Sequence, residues 1–179
     1  MGNKEEEIIK AAESMVREGG YNSFSFRDIA TAVGVKSSSV HYHFPTKADL
    51  GVAVAEYYTN KFLSSLGDPG QLINDGKDPI KIYVRAFKDA LLNDKRMCLC
   101  GILGSEIDGL PSKVAAQTRI FFERNIEWLT IVYLSKGSKK YAKSKAMQTL
   151  SLLEGAMITS NVLTDINVFD KVADLLNHA

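Results

Sequence analysis

The side chains best suited to meeting another molecule's polar surface lie between Ser25 and Lys47. Lys36, Ser37, Ser38 and Ser39 stand in a row, His41, Tyr42 and His43 follow, and Ser25, Arg27 and Lys47 flank them. Short hydroxyl side chains let a helix approach closely, and they donate to or accept from several base edges. Tyr and His bond phosphate oxygens, which fixes register without reading sequence. Lys47 falls at a helix start, where unpaired backbone N–H groups already favour an anion. His41 and His43 are two apart and do not share a helical face, which argues against a metal pair. No cofactor is expected.

A second set is Cys98 and Cys100, preceded by Lys95 and Arg96. Neighbouring positive charge favours the thiolate, the reactive form, and Cys98 lies nearer the basic pair. The alternative is that both cysteines are small buried hydrophobes. Side chains two apart on a regular helix diverge, so a disulfide between them is not expected. A thiol-dependent enzyme is the competing function, but the histidines, His41, His43 and His178, offer neither cysteine an evident catalytic companion. A helical interaction module is a third possibility.

The elements that must position these residues are helices. Phe26, Ile29, Ala30 and Val33 recur at helical spacing, and Ser25 with Asp28 makes a capping-box start. Gly34 breaks that helix, since glycine reaches left-handed backbone angles without penalty. Lys36 to Phe44 forms a second short helix with Val40 and Phe44 inward. Pro45 ends it by pushing Phe44 out of helical angles. Thr46 and Asp49 repeat the capping box and launch a third. Two short helices joined by a tight glycine turn form a unit whose second helix enters the DNA major groove. Upstream, Asn3 to Glu18 reads as a helix with an Asn3–Glu6 cap and an inward stripe of Ile8, Ala12 and Met15.

The run Phe24, Arg27, Asp28, Ile29, Ala30, Val33, Gly34, Val35, then Val40-His41-Tyr42-His43-Phe44, Lys47 and Leu50 resembles the N-terminal domain of the TetR family of bacterial transcriptional regulators. The resemblance covers residues 4 to 55. The family usually has Leu-Tyr where this chain has Val40-His41, and the tyrosine here falls one position later, at Tyr42. The resemblance implies a homodimer built on a C-terminal four-helix interface, and a pocket for a mostly apolar small-molecule effector. The cysteine segment with Gly109-Leu110-Pro111 is similar to one in TetR-like regulators that answer electrophiles or acrylate-like compounds.

The rest of the chain reads as helix. Thr46 to about Leu66 is long, and Gly67-Asp68-Pro69-Gly70 ends it. Asp78-Pro79 opens another, Pro111 opens one to about Leu134, Ser138 starts a further long one, and Asp165 to Asn177 gives the last. Tyr83, Phe87, Phe121, Phe122, Trp128 and Met157 are the candidate effector-pocket residues with Cys98 and Cys100; aromatics and Met at helical spacing are more often core than pocket. Glu106 and Glu154 sit in apolar stretches, as polar anchors for a ligand or, more commonly, as exposed residues. The last two helices carry wide apolar faces, and the small pair Gly155-Ala156 permits close helix approach.

With 179 residues, 45% of them apolar, the chain can bury a real core. No apolar run approaches the ~18 residues that span a membrane. The start lacks a signal-peptide layout, and the cysteine usage suits a reducing cytoplasm. The net charge of +1, with six Lys/Arg against seven Asp/Glu in residues 1–50, lacks a basic footprint, so phosphate contacts should be few and salt dependence shallow.

The expected architecture is all-α, with a three-helix helix-turn-helix domain at 1–47 and a ligand-binding and dimerisation domain at 48–179. The expected function is that of a cytoplasmic, homodimeric DNA-binding regulator. It would be a repressor released from a palindromic double-stranded operator by a small apolar or electrophilic effector.

Overall fold

The computed structural model describes residues 3–93, 96–137 and 139–177. Lys95, His178, the helix start expected at Ser138 and the side chain of Asn3 lie outside the described residues. The described residues are helical and contain no strand: α1 (Asn3–Gly19), α2 (Phe26–Val33), α3 (Ser37–His43), α4 (Lys47–Leu66), α5 (Pro69–Asn74), α6 (Pro79–Asn93), α7 (Leu99–Ser105), α8 (Ser112–Ser135), α9 (Ala142–Leu163) and α10 (Ile166–Asn177), with single 3-10 turns at Tyr21–Ser23 and Ile107–Gly109. None of these helices is long and apolar enough to cross a membrane.

Two compact units emerge. One comprises the residues up to Asn60 with Leu99–Phe121, the other Lys61–Cys98 with the residues from Phe122 onward.

In the first unit, α1 buries Ile8, Ile9, Ala12 and Val16. The expected Met15 is only half-buried. The stripe runs Ile8, Ala12, Val16 at four-residue steps, and Val16 takes the inward place. The Ser25–Asp28 capping box forms in both directions and opens α2. Gly34 stops α2 with φ 70, in the left-handed region. Phe26, Ile29, Ala30, Val40 and Phe44 are buried, so α2 and α3 lean on one small apolar centre. Phe44 is extended, at φ −130 and ψ 101, as the following proline requires. The Thr46 N–H donates to Asp49 Oδ2 at 2.9 Å, and the Asp49 N–H donates to Thr46 Oγ1 at 3.1 Å, which completes the second box.

The second unit differs from expectation in its connections. The Gly67–Gly70 run ends one helix and begins the next, because Asp68 Oδ1 accepts the Gln71 N–H at 2.8 Å and Pro69 occupies the first helical position of α5. Asp78 caps α6 in the same way, through the Ile80 N–H at 3.0 Å. Residues 139–141 form a turn, and α9 starts only at Ala142.

Candidate nucleic-acid interface

The residues expected to face DNA all belong to the first unit. Arg27, Lys36, Ser38, His41 and Tyr42 are exposed, and Ser37, Ser39 and His43 are half-exposed. Val40, between them, is fully buried. The short α3 is thus pinned by Val40 and leaves its hydroxyl-bearing residues accessible. A depression of about 330 Å³ opens beside it, lined by Lys4 and Ile8 of α1, Val35 of the turn, and Ser38, Ser39, Tyr42 and His43. Lys4 joins these residues although it lies outside the Ser25–Lys47 stretch. Its place on this rim follows from how α1 packs, which no local pattern encodes.

His41 and Tyr42 separate clearly. The His41 ring lies edge-on to Phe26, with centroids 4.5 Å apart. Tyr42 is 85% exposed and makes an edge contact with neighbouring His43, at 5.3 Å. His41 therefore buttresses α2, and Tyr42 is the side chain that projects. Ser25 is committed locally, since its hydroxyl donates to Asp28 Oδ2 at 2.6 Å. The bond to Ser25 holds the Asp28 carboxyl below its ordinary range.

Lys47 is held inward as well as standing at a helix start. Its Nζ donates to the Phe24 carbonyl at 2.7 Å and lies 4.4 Å over the Phe24 ring and 5.0 Å over the Tyr21 ring. Partial burial pushes its pKa down, against the pull of Asp28 and Glu106. Asp49, in the same first turn of α4, is ion-paired with Lys113 of α8. That bond, with those from Thr46, lowers its pKa.

Glu106 is neither a ligand anchor in the open nor a plain surface residue. Its Oε2 accepts the Tyr21 N–H at 2.8 Å. Gly20 makes that approach possible: at φ +85, a Cβ there would lie 2.0 Å from Glu106 Oε1.

The expected effector residues divide. Cys100 and Phe121 belong to the first unit, where Phe121 sits 5.8 Å from the Tyr58 ring. Tyr83, Phe87, Cys98, Phe122, Trp128 and Met157 belong to the second. All of these are buried except Phe122, which is half-buried. Tyr83 is the hub. Its ring packs against Phe87 at 5.3 Å, Trp128 at 5.4 Å and Phe62 at 5.8 Å. Its hydroxyl donates to Asn125 Oδ1 at 2.7 Å, and Trp128 Nε1 donates to the Gly67 carbonyl at 2.9 Å. Both cysteines are free thiols and both are buried. Cys98 precedes α7 and Cys100 lies within it, so the pair does not share one regular helix. Among the described residues, no group of three His, Cys, Asp or Glu is placed to hold a metal ion.

Glu154 corrects the expectation of exposure. It lies on the inner face of α9 at 9% exposure, and among the described residues neither carboxylate oxygen has a hydrogen-bond partner. Burial raises its pKa to about 7, with the Cys98 thiol pulling weakly the other way. Its position is readable in the sequence: Glu154 stands four residues after Leu150 and three before Met157, and both of these are buried.

Residues 8–54 match the family model for bacterial regulatory proteins of the tetR family. A solved TetR transcriptional regulator from Legionella pneumophila is 34% identical over 99% of this chain and 97% of that one, with a TM-score of 0.89. A TetR-family regulator from Agrobacterium tumefaciens is 28% identical over 98% and 96%, with a TM-score of 0.85. The transcriptional regulator AcuR of Cereibacter sphaeroides is 30% identical over 61% of this chain, and the chain spans 51% of AcuR's length in that match. With the capped helix pair and its exposed α3 in place, these likenesses settle the family: the chain belongs to the TetR family of transcriptional regulators and is a DNA-binding regulator.

Proposed function

We propose that this chain is a homodimeric repressor that reads a palindromic operator through α3 and leaves it when a small molecule occupies the second unit. The observation that carries this reading is the outer face of α3, where Ser37, Ser38 and Ser39 stand accessible on a helix anchored by buried Val40. Hydroxyls on a helix thin enough for the major groove supply direct readout. Tyr42 supplies a phosphate contact that fixes register. Lys47 holds the first turn of α4 against Phe24, so that its backbone N–H groups face a phosphate. Residues 1–47 form the functional reading head, and residues 48–179 carry control and dimerisation.

Dimerisation is supported by a row of exposed apolar residues on α9. Leu152, Ile158 and Val162 are exposed around Gly155, and Ile131 and Leu134 of α8 are exposed as well. An added Cβ on Gly155 would meet nothing within 4 Å, which leaves room for a second helix. Two reading heads then address half-sites ~34 Å apart.

Control works by selection between two spacings of the heads. An effector that binds the wrongly spaced state more tightly depletes the DNA-bound one, and such coupling is typically ~1–3 kcal/mol, or ~5–150-fold in affinity. The effector is small and mostly apolar, in keeping with the aromatic cluster around Tyr83. At 2% exposure, Cys98 favours a non-covalent effector over an electrophile.

The test is selection of genomic DNA fragments by the purified full-length protein, reduced and again after treatment with a mild thiol-reactive electrophile. A palindromic site from both samples supports the regulator with a non-covalent effector, and a site from the reduced sample alone makes the thiols the trigger. Replacing Ser37 or Ser38 by Ala changes which bases are preferred. Failure to recover any common site would overturn operator reading.

A further inference from the structure

A buried carboxyl group without partners is costly. Buried polar atoms are nearly always hydrogen-bonded, so an exception asks for an explanation. Glu154 is such an exception, and its surroundings in the second unit are specific. The Tyr83 phenol lies close enough for Glu154 and Cys98 both to disfavour its ionisation, after the larger effect of burial. That phenol has already spent its proton on Asn125. The ring that carries it forms one aromatic group with Phe62, Phe87 and Trp128. The cluster therefore presents two carboxylate oxygens and several π faces as acceptors, and the Cys98 thiol beside Glu154 is only a weak donor.

We infer that Glu154 anchors a ligand carrying a protonated amine on a compact apolar body, with the Tyr83 aromatic group as the wall beside the cation. This rests on the reading of the second unit as the effector-binding half. An ammonium group supplies what the site lacks. It gives charge-assisted hydrogen bonds to the orphaned oxygens, and the faces of Tyr83 and its neighbours attract it further through their negative quadrupoles. A ligand carboxylate would meet Glu154 with like charge. A ligand alcohol would satisfy one oxygen without compensating the buried charge.

The experiment is thermal unfolding of the full-length protein at pH 7.5 with matched probes: benzylammonium and cyclohexylmethylammonium, the corresponding alcohols, and the corresponding carboxylates. The expected result is a concentration-dependent rise in Tm with the ammonium ions, and an affinity at least tenfold below theirs for the alcohols and carboxylates. In Glu154→Gln, ammonium binding falls at least tenfold. Equal shifts from ammonium and alcohol, no shift from either ammonium ion, or undiminished ammonium binding by Glu154→Gln would each overturn the inference. The wild-type comparison decides alone if the variant does not fold. A gel-shift assay with the selected operator separates the two readings. Ammonium binding without loss of DNA supports this site and overturns effector control. Intact DNA binding with no ammonium preference overturns this site and leaves the regulator standing.

Discussion

The Glu106 carboxylate accepts the backbone N–H of Tyr21 at 2.8 Å, across 85 residues of chain. Within the first unit it ties the segment after α7 to the 3-10 turn that precedes α2. Glu106→Ala leaves a partly buried donor unsatisfied, which costs about 1–3 kcal/mol. Glu106→Gln keeps an acceptor and loses less. Gly20→Ala costs more than Glu106→Gln, since it adds a strained backbone to a collision with the carboxylate. Denaturant midpoints of the three variants give this order; an unshifted Glu106→Ala would show that the bond contributes nothing.

Lys47 and Tyr42 should behave in opposite ways. Lys47→Met removes a hydrogen bond to the Phe24 carbonyl and an ammonium over two rings. Its partial exposure limits the cost to about 1 kcal/mol of stability. Tyr42 is almost wholly exposed, so Tyr42→Ala changes stability by less than about 0.5 kcal/mol. It weakens binding to operator and to random DNA alike, because a phosphate contact carries no sequence information. Melting curves beside gel shifts on both DNAs test the pair. Normal DNA affinity in Tyr42→Ala would move the phosphate contact elsewhere.

Glu154 makes stability depend on pH in a sense opposite to most carboxyl groups. Its pKa is raised in the folded chain from 4.5 to about 7, so the folded state holds the proton more tightly than the unfolded state. The contribution is fully present below about pH 4.5, declines as pH rises, and is gone above about pH 7. Over that window the loss is about 3 kcal/mol. Glu154→Gln removes this component and makes the protein more stable than wild type at pH 8. Urea midpoints at pH 5, 6, 7 and 8 for both proteins measure it. Parallel pH profiles would show that the Glu154 side chain is solvated.

The parts of this structure visible in the sequence are those governed by neighbours in the chain. Ser25 finds Asp28 and Thr46 finds Asp49 three residues on, and the turn at Gly34 needs only its own backbone freedom. Helix α3 can be placed from these alone. What stayed hidden depends on distant partners. Nothing near Glu106 names Tyr21, and nothing near Tyr83 names Asn125, 42 residues away. Lys47 stands at a helix start that suits a phosphate, and its inward tether to Phe24 emerges only from packing. Glu154 is a different case. Its helical spacing from Leu150 and Met157 places it on their inward face, and the general tendency of glutamate to be exposed works against that signal.

Gly155 offers the sharpest test of the α9 face. Its neighbour Ala156 is buried within its own unit, whereas Gly155 is exposed and a Cβ there meets nothing within 4 Å. A larger side chain therefore costs the single chain nothing sterically, and replacing a mid-helix glycine favours the helix by up to about 1 kcal/mol. The same side chain would sit where a second α9 must approach, between Leu152 and Ile158. Overpacking a close helix contact costs about 1–3 kcal/mol per chain, and a symmetric interface meets the insertion twice. Gly155→Leu should therefore weaken self-association at least tenfold in sedimentation equilibrium while far-ultraviolet circular dichroism stays helical. Operator affinity should fall with the dimer, since one reading head loses the half-site its partner supplies. Gly155→Ala should associate almost as wild type does. A Gly155→Leu protein that remains a dimer with full operator affinity would place the interface on another face.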